Sequence, residues 1–291
     1  MKAVNSCKFY RDKKVITTDD VYNRRNRKIY FFLEPYIRLE NRKGIIRILD
    51  QGSGYGIDIL SLREKLPAES SYYIGLEISP SQVLFANGEF KRRKITDVDF
   101  IIGDGTRLPF KDDSFDIVIS NQVIEHICDK GNYLQQSYRV LKKEGVLLIS
   151  TSNRVFPYEG HLRLPFIPWL PKSLAVRLLR LLSFKNAAKN SYYENLYPLS
   201  TFYLERLLKR SGFKVEYVVP KLVFDKEMLG AEVKASKRYI GQKSVKLFQS
   251  FKRIPRFNSL LKLGFPYVAF IGIARKNVQQ DAGTCVDRKA L

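Results

Sequence analysis

Twelve residues constrain the fold of this chain more than any other stretch: Ile45-Ile46-Arg47-Ile48-Leu49-Asp50-Gln51-Gly52-Ser53-Gly54-Tyr55-Gly56. They read as a buried apolar strand that closes on an acid and enters a turn with glycine at three alternate positions. A helix is expected directly after it. Such a turn lets backbone approach a ligand where a Cβ would clash. The dinucleotide fingerprint G-x-G-x-x-G wants its third glycine at the position held by Ile57. No Gly-Lys-Ser/Thr follows, which excludes a phosphate-cradling P-loop. The spacing is D-x-G-x-G-x-G, and the bland alternative is a tight strand-to-helix turn with no ligand.

The chain beyond this turn alternates strands with helices. Strands are expected at 45–50, 71–77, 98–102, 115–120 and 146–151, with helices over 56–65, 80–93 and 132–141. Ser79 is placed to cap the helix that takes Pro80 at its first position. A further helix over 199–211, stopped by Gly212, leads to a strand at 213–219, and a last strand covers 267–274. The strands are continuous apolar runs, as in a parallel sheet covered on both faces. Ahead of them, 19–40 has helical periodicity with Asp19 or Asp20 as cap. The proline- and aromatic-rich stretch 152–171 cannot be one continuous helix. Boundaries follow: a basic segment and helix at 1–44, a core at 45–151, an insertion at 152–200, a core helix and strand at 201–220, a basic helical insertion at 221–265, the final core strand at 266–276, and a polar tail at 277–291 expected to be disordered.

In open parallel sheets, ligands bind outside the carboxyl ends of the strands. Asp50 to Gly56, Glu77, Asp104 and Asn121 all fall at such ends. Glu77 can accept hydrogen bonds from both ribose hydroxyls of a nucleoside, and Asp104 from an exocyclic amine of adenine. Taken singly, each acid could be a cap or turn residue. A cationic sulfonium nucleoside suits acidic surroundings and needs no glycine at 57.

Several stretches carry a family resemblance. Leu49 to Gly56 resembles motif I of the class I S-adenosylmethionine-dependent methyltransferases. Gly75-Leu76-Glu77-Ile78-Ser79 resembles their ribose-binding motif, and Gly103 to Phe110 their adenine-binding segment. Phe115 to Ile127 and Arg139 to Ser150 resemble the UbiE/type 11 branch. Gln51 departs from the small or apolar residue usual there. The resemblance implies a Rossmann-like, mostly parallel seven-stranded sheet with helices on both faces and a basic helical or irregular cap, and S-adenosyl-L-methionine as cofactor. It implies cofactor contacts from Asp50, Gly52, Ser53, Gly54, Gly56, Glu77, Ile78, Asp104, Gly105, Thr106, Asn121 and Gln122, and a leading helix laid over the site. Base N-methyltransferases carry Asn/Asp-Pro-Pro-Tyr/Phe where this chain has Asn121-Gln122-Val123-Ile124, which argues against that chemistry.

Methyl transfer needs the nucleophile held in line, and a base if the acceptor is a hydroxyl. His126 and His161 are the two histidines, so both are candidate bases. His126 equally reads as structural, and His161 as part of a packing loop. Tyr158, Glu159 and Arg163 flank His161 as candidate substrate contacts. Cys7, Cys128 and Cys285 are too dispersed for a disulfide framework or zinc cluster, so no metal is expected and the compartment reads as cytoplasmic.

The formal charge of +22 is uneven, with 25 Lys/Arg against 20 Asp/Glu in 1–150 and 26 against 9 in 151–291. A positive field of that kind attracts phosphate, whether on nucleic acid, anionic lipid or a small substrate. The stretches 169–182 and 244–254 pair apolar faces with basic residues and read either as interfacial helices in peripheral contact with an anionic membrane or as packed cap helices. The expected acceptor is a small or lipid/glycan-linked molecule methylated on oxygen or carbon. The rivals are an RNA methyltransferase and a non-catalytic cofactor-binding partner subunit.

Overall fold

The computed structural model describes residues 44–63, 66, 69–152, 154, 158–159, 164–182, 195–217 and 269–276, together with Leu33. The expected helix over 19–40, the insertion at 221–265 and the tail at 277–291 lie outside these residues. Leu33 alone of that leading segment is described; it is helical and fully buried beside Ile46, Ile59 and Leu62.

In chain order the elements are β1 (Ile46–Gln51), α1 (Ile57–Arg63), β2 (Ser71–Glu77), α2 (Pro80–Arg92), β3 (Val98–Ile102), β4 (Phe115–Asn121), α3 (Lys130–Val140), β5 (Leu141–Ser152), α4 (Lys172–Leu182), α5 (Thr201–Arg210), β6 (Phe213–Tyr217) and β7 (Ala269–Lys276). The strands form one seven-stranded sheet in the order β3-β2-β1-β4-β5-β7-β6. The first five are parallel, and β7 pairs antiparallel with both β5 and β6. This is the Rossmann-like, mostly parallel seven-stranded sheet that the family resemblance implies, with the order reversing between β1 and β4.

Successive strand residues face opposite sides of a sheet, and here both sides are covered. Leu49, Val118 and Leu147 pack with Tyr133, Leu134, Leu204 and Leu208 of α3 and α5. Their neighbours Ile48, Ile117 and Leu148 pack instead with Ile59, Leu62 and Phe90 of α1 and α2. This two-sided burial is why the strands lack polar alternation.

The structure adjusts some local expectations. α3 begins at Lys130, earlier than residue 132, because the Asp129 carboxylate accepts from the Asn132 amide at 2.9 Å and caps the helix. β5 begins at Leu141, directly after α3. Ser79 stands at the cap of α2 but its side chain makes no capping bond. Its hydroxyl lies 3.0 Å from that of Ser81, and its amide donates to Glu77 Oε1 at 3.0 Å.

Within the insertion, Tyr158–Glu159 and Leu164–Pro165 form a two-residue hairpin. Ile167, Ala175, Leu179 and Leu196 form a small core of their own. The helix α4 is therefore packed along one side, as one of the two expectations held. Leu174 and Leu181 stay exposed on it, as do Phe166 and Trp169 just before it. No helix among the described residues is long and apolar enough to cross a membrane.

Candidate functional site

The glycine turn sits where β1 meets α1, and its backbone requires glycine. Gly52, Gly54 and Gly56 have φ of +91°, +54° and +74°, values a side chain disfavours. A Cβ on Gly52 would fall 2.5 Å from Val123 Cγ2, and one on Gly56 2.6 Å from Phe100 Cζ. At Gly54 the nearest atom would be Gln82 Oε1 at 3.5 Å. Two of the glycines thus make room for the protein's own packing, while Gly54 leaves space.

Glu77, at the end of β2, binds this turn. Its Oε2 accepts from the Gly54 amide at 3.0 Å and its Oε1 from the Ser79 amide at 3.0 Å. Each oxygen keeps a lone pair for a further donor. Ile78 follows, half exposed. At the end of β3, exposed Asp104 accepts from the Thr106 amide and hydroxyl through Oδ1, both at 2.8 Å. Gly105 is held from the other side, where its carbonyl accepts from Gln51 Nε2 at 2.8 Å.

Asp50 is the unusual member. It is 1% exposed, and among the described residues neither carboxylate oxygen has a hydrogen-bond partner. Burial, then the charges of Asp58 and Glu77, push its carboxyl well above the ordinary carboxylate range. The Ser53 hydroxyl in the same turn is also buried without a partner among the described residues. Buried polar atoms are normally hydrogen-bonded, so these orphans mark a place prepared for something else. A cation placed against three carboxylates would relieve the cost of burying them.

Asn121 and Gln122 complete the rim at β4. Asn121 Nδ2 donates to Asp58 Oδ2 at 2.8 Å, and its oxygen accepts from the Ser150 hydroxyl. Gln122 has φ of +57°, a strained value for a non-glycine residue that occurs preferentially at functional sites. Its amide lies between Ser150 Oγ at 3.1 Å and Glu125 Oε1 at 3.0 Å, satisfied when the nitrogen faces Glu125.

Gln51 has a structural role that the sequence pattern did not reveal. It is fully buried. Besides holding Gly105, its Oε1 accepts from Ser137 Oγ at 2.7 Å, and its carbonyl accepts from the Tyr133 hydroxyl at 2.9 Å. It therefore ties β1, the Gly105 loop and α3 together. Gln51→Leu leaves the Gly105 carbonyl without its donor in a tightly packed spot. The expected loss is about 1–3 kcal/mol of unfolding free energy, read as a lower urea midpoint with an unchanged slope.

The structure thus gathers Asp50, the glycine turn, Glu77, Asp104, Thr106, Asn121 and Gln122 on the carboxyl rim. His126 lies just beyond, half-buried on a short 3-10 turn, Ile124–His126. Of the other candidates, His161 and Arg163 lie outside the described residues, and only the strand backbone of Tyr158 and Glu159 is described. Asp58 was missed. Its sequence signal is weak: an acid in the first turn of α1 is also what any helix start favours.

Comparison with known proteins follows the same pattern. A family model described as a methyltransferase domain matches residues 43–198. The chain belongs to the methyltransferase-domain family. S-adenosylmethionine is the methyl donor of this domain, and the sulfonium it carries fits the orphaned Asp50 carboxylate and the open backbone at Gly54. Among curated relatives, the chain is 33% identical over 122 residues to a probable S-adenosylmethionine-dependent methyltransferase of Mycolicibacterium smegmatis, covering 41% of this chain and 43% of that protein. It is 28% identical over 109 residues to a ubiquinone biosynthesis O-methyltransferase of Azorhizobium caulinodans, covering 38% and 41%. The chain therefore spans less than half the length of these relatives. Among solved structures, a putative sarcosine dimethylglycine methyltransferase from Galdieria sulphuraria aligns with a TM-score of 0.50 at 18% identity, over 86% of this chain and 85% of that one. The cyclase SpnF aligns with a TM-score of 0.51 at 19% identity, over 87% and 82%. The last two likenesses speak for the fold alone.

Proposed function

We propose that this chain is an S-adenosylmethionine-dependent methyltransferase whose acceptor is a small or lipid/glycan-linked molecule, methylated on oxygen or carbon. The observation that carries the reading is the buried, partnerless Asp50 carboxylate at the foot of the glycine turn, with Asp58 and Glu77 beside it. When bound, the cofactor supplies an electrophilic methyl group on a sulfonium.

Each residue then has a task. Glu77 fixes the turn through Gly54 and offers its remaining lone pairs to ribose hydroxyls. Asp104, Gly105 and Thr106 flank the adenine. Gly52, Ser53 and Gly54 offer backbone and a hydroxyl to the amino-acid end, and Asp50 balances the positive charge. Rate comes from holding donor and acceptor in line in a place shielded from water. The insertion 152–200 and the segment 221–265 serve as cap over the acceptor side. His126 is the candidate base on the described rim, and His161 the candidate from the cap.

The decisive experiment incubates the purified chain with radiolabelled S-adenosylmethionine and a cell extract separated into lipid, glycan, small-molecule, RNA and protein fractions. Label is expected in the lipid, glycan or small-molecule fraction. Label confined to RNA contradicts the acceptor assignment. Cofactor binding without label in any fraction favours a non-catalytic role.

A further inference from the structure

A cavity of about 480 Å³ opens on the same rim, on the β4 and β5 side of the glycine turn. Its walls come from three places. Cys128, Asp129, Lys130 and Gly131 follow β4 and begin α3; Arg154 follows β5; Lys172 begins α4, Tyr197 lies ahead of α5 and Tyr203 in its first turn. Backbone bonds fasten these walls to the core. The Tyr197 amide donates to the Glu125 carbonyl at 2.7 Å, and the Arg154 amide to the Leu199 carbonyl at 3.0 Å.

Three cations line this cavity, and two of them lie over the Tyr197 ring. Lys172 Nζ sits 3.2 Å from the Tyr197 ring centroid and Lys130 Nζ 5.0 Å from it. Lys130 is 9% exposed and donates to the Ile127 carbonyl. Arg154 is exposed and has no hydrogen bond or ion pair through its guanidinium among the described residues. Among the described residues the acids nearby are Asp129, whose Oδ1 caps α3 and whose negative charge stays in the wall, and Glu125, which accepts from Thr151 Oγ1 at 2.8 Å. Burial and the neighbouring Lys172 charge lower the Lys130 pKa. Gathering three positive charges in one wall is electrostatically costly, and an oxyanion in the cavity would offset that cost. The first amides of α3, which have no acceptor within the helix, add to the positive potential.

We propose that this cavity is the subsite for a phosphate group on the methyl acceptor, held by Lys130, Lys172 and Arg154. The proposal rests on the methyltransferase reading for the word acceptor, but phosphate binding stands independently of it. Lysine serves phosphate as a point charge and arginine as a two-pronged donor. The volume takes a phosphate with a small body attached, and Pro168, Leu170 and Leu196 in the wall suit an apolar one. The phosphate could belong to a soluble ester or to a lipid headgroup, and the two are separable.

The test titrates the full chain with glycerol phosphate by calorimetry, and floats it with phosphatidylglycerol or phosphatidylcholine vesicles. Arg154→Met and the double variant Arg154→Met/Lys172→Met are compared with Lys91→Met/Lys94→Met, which makes the same charge change as the double variant on two exposed lysines, one in the last turn of α2 and one just beyond it. Arg154→Met alone keeps the inference testable if Lys172→Met disturbs the cap. Glycerol phosphate is expected to bind the wild type at millimolar concentration or below, at least tenfold weaker in the double variant and within twofold in the α2 control. S-adenosylmethionine affinity should stay within twofold in all of them. A soluble acceptor predicts no flotation; a lipid acceptor predicts flotation with phosphatidylglycerol that glycerol phosphate reverses. Absent glycerol phosphate binding, or binding indifferent to Arg154 and Lys172, overturns the inference. Displacement by oligouridylate at lower phosphate concentration also overturns it, by assigning the cavity to nucleic acid. A wild type that binds glycerol phosphate as predicted but not S-adenosylmethionine would sink the methyltransferase reading and leave the subsite standing.

Discussion

Gly54→Arg is expected to weaken S-adenosylmethionine binding at least 100-fold, about 2.7 kcal/mol, while the protein stays folded. The strain is modest, since a left-handed φ costs a side chain roughly 1–2 kcal/mol and a Cβ at Gly54 meets nothing closer than 3.5 Å. The functional cost is larger. An arginine would fill the space the turn leaves open and place a guanidinium beside Glu77 and Asp50, where the sulfonium charge is to be balanced. Gly52→Ala makes the contrast. Its Cβ would sit 2.5 Å from Val123 Cγ2 at φ +91°, so overpacking of about 1–3 kcal/mol adds to a similar strain, and the loss is one of stability. Calorimetric titration and urea melts of both variants separate the effects. Unchanged cofactor affinity in a folded Gly54→Arg protein would remove the turn from the site.

Asp50→Asn is expected to stabilise the ligand-free protein and impair cofactor binding at once. The folded-state pKa of Asp50 is raised, chiefly by burial and then by Asp58 and Glu77. A raised pKa means that the fold favours the protonated form. That contribution is fully present below the unfolded pKa of about 3.9 and is lost as pH rises through the folded value. Asparagine stays neutral and escapes this loss. The variant should therefore exceed the wild type by about 1–3 kcal/mol at alkaline pH, the cost of an unsatisfied buried group, with the gap closing toward pH 4. Cofactor binding should run the other way. A sulfonium favours ionised Asp50, so wild-type affinity rises with pH and binding releases a proton. In Asp50→Asn the affinity falls at least tenfold and its pH dependence flattens. Thermal melts across pH, with calorimetry in buffers of different ionisation enthalpy, read both halves. Identical pH profiles for the two proteins would contradict the role given to Asp50.

Much of the carboxyl rim was legible in the sequence because it depends on local chemistry. Strand ends, glycine turns and acids after apolar runs are short-range features, and the parallel sheet then gathers Asp50, Glu77, Asp104 and Asn121 without further information. What escaped depends on tertiary contact. Gln51 looked like a departure from pattern because Gly105 and Ser137 are distant in sequence. Asp58 looked like an ordinary helix start until Asn121 was seen bonded to it. The cation cavity joins Lys130, Arg154 and Lys172 from three separate segments, and no spacing rule connects them. Ser79 shows the opposite failure: a residue well suited to capping makes no capping bond, and its hydroxyl pairs instead with that of Ser81 at 3.0 Å.

The central claim is that the rim from Asp50 to Gln122 holds the methyl donor. The most direct measurement is a crystal structure of the full chain with S-adenosylhomocysteine. The account predicts ribose hydroxyls on the Glu77 carboxylate, adenine beside Asp104 to Thr106, and the sulfur on the Asp50 side of the glycine turn. Ligand density elsewhere on the molecule, with Asp50 and Ser53 still partnerless, would contradict it.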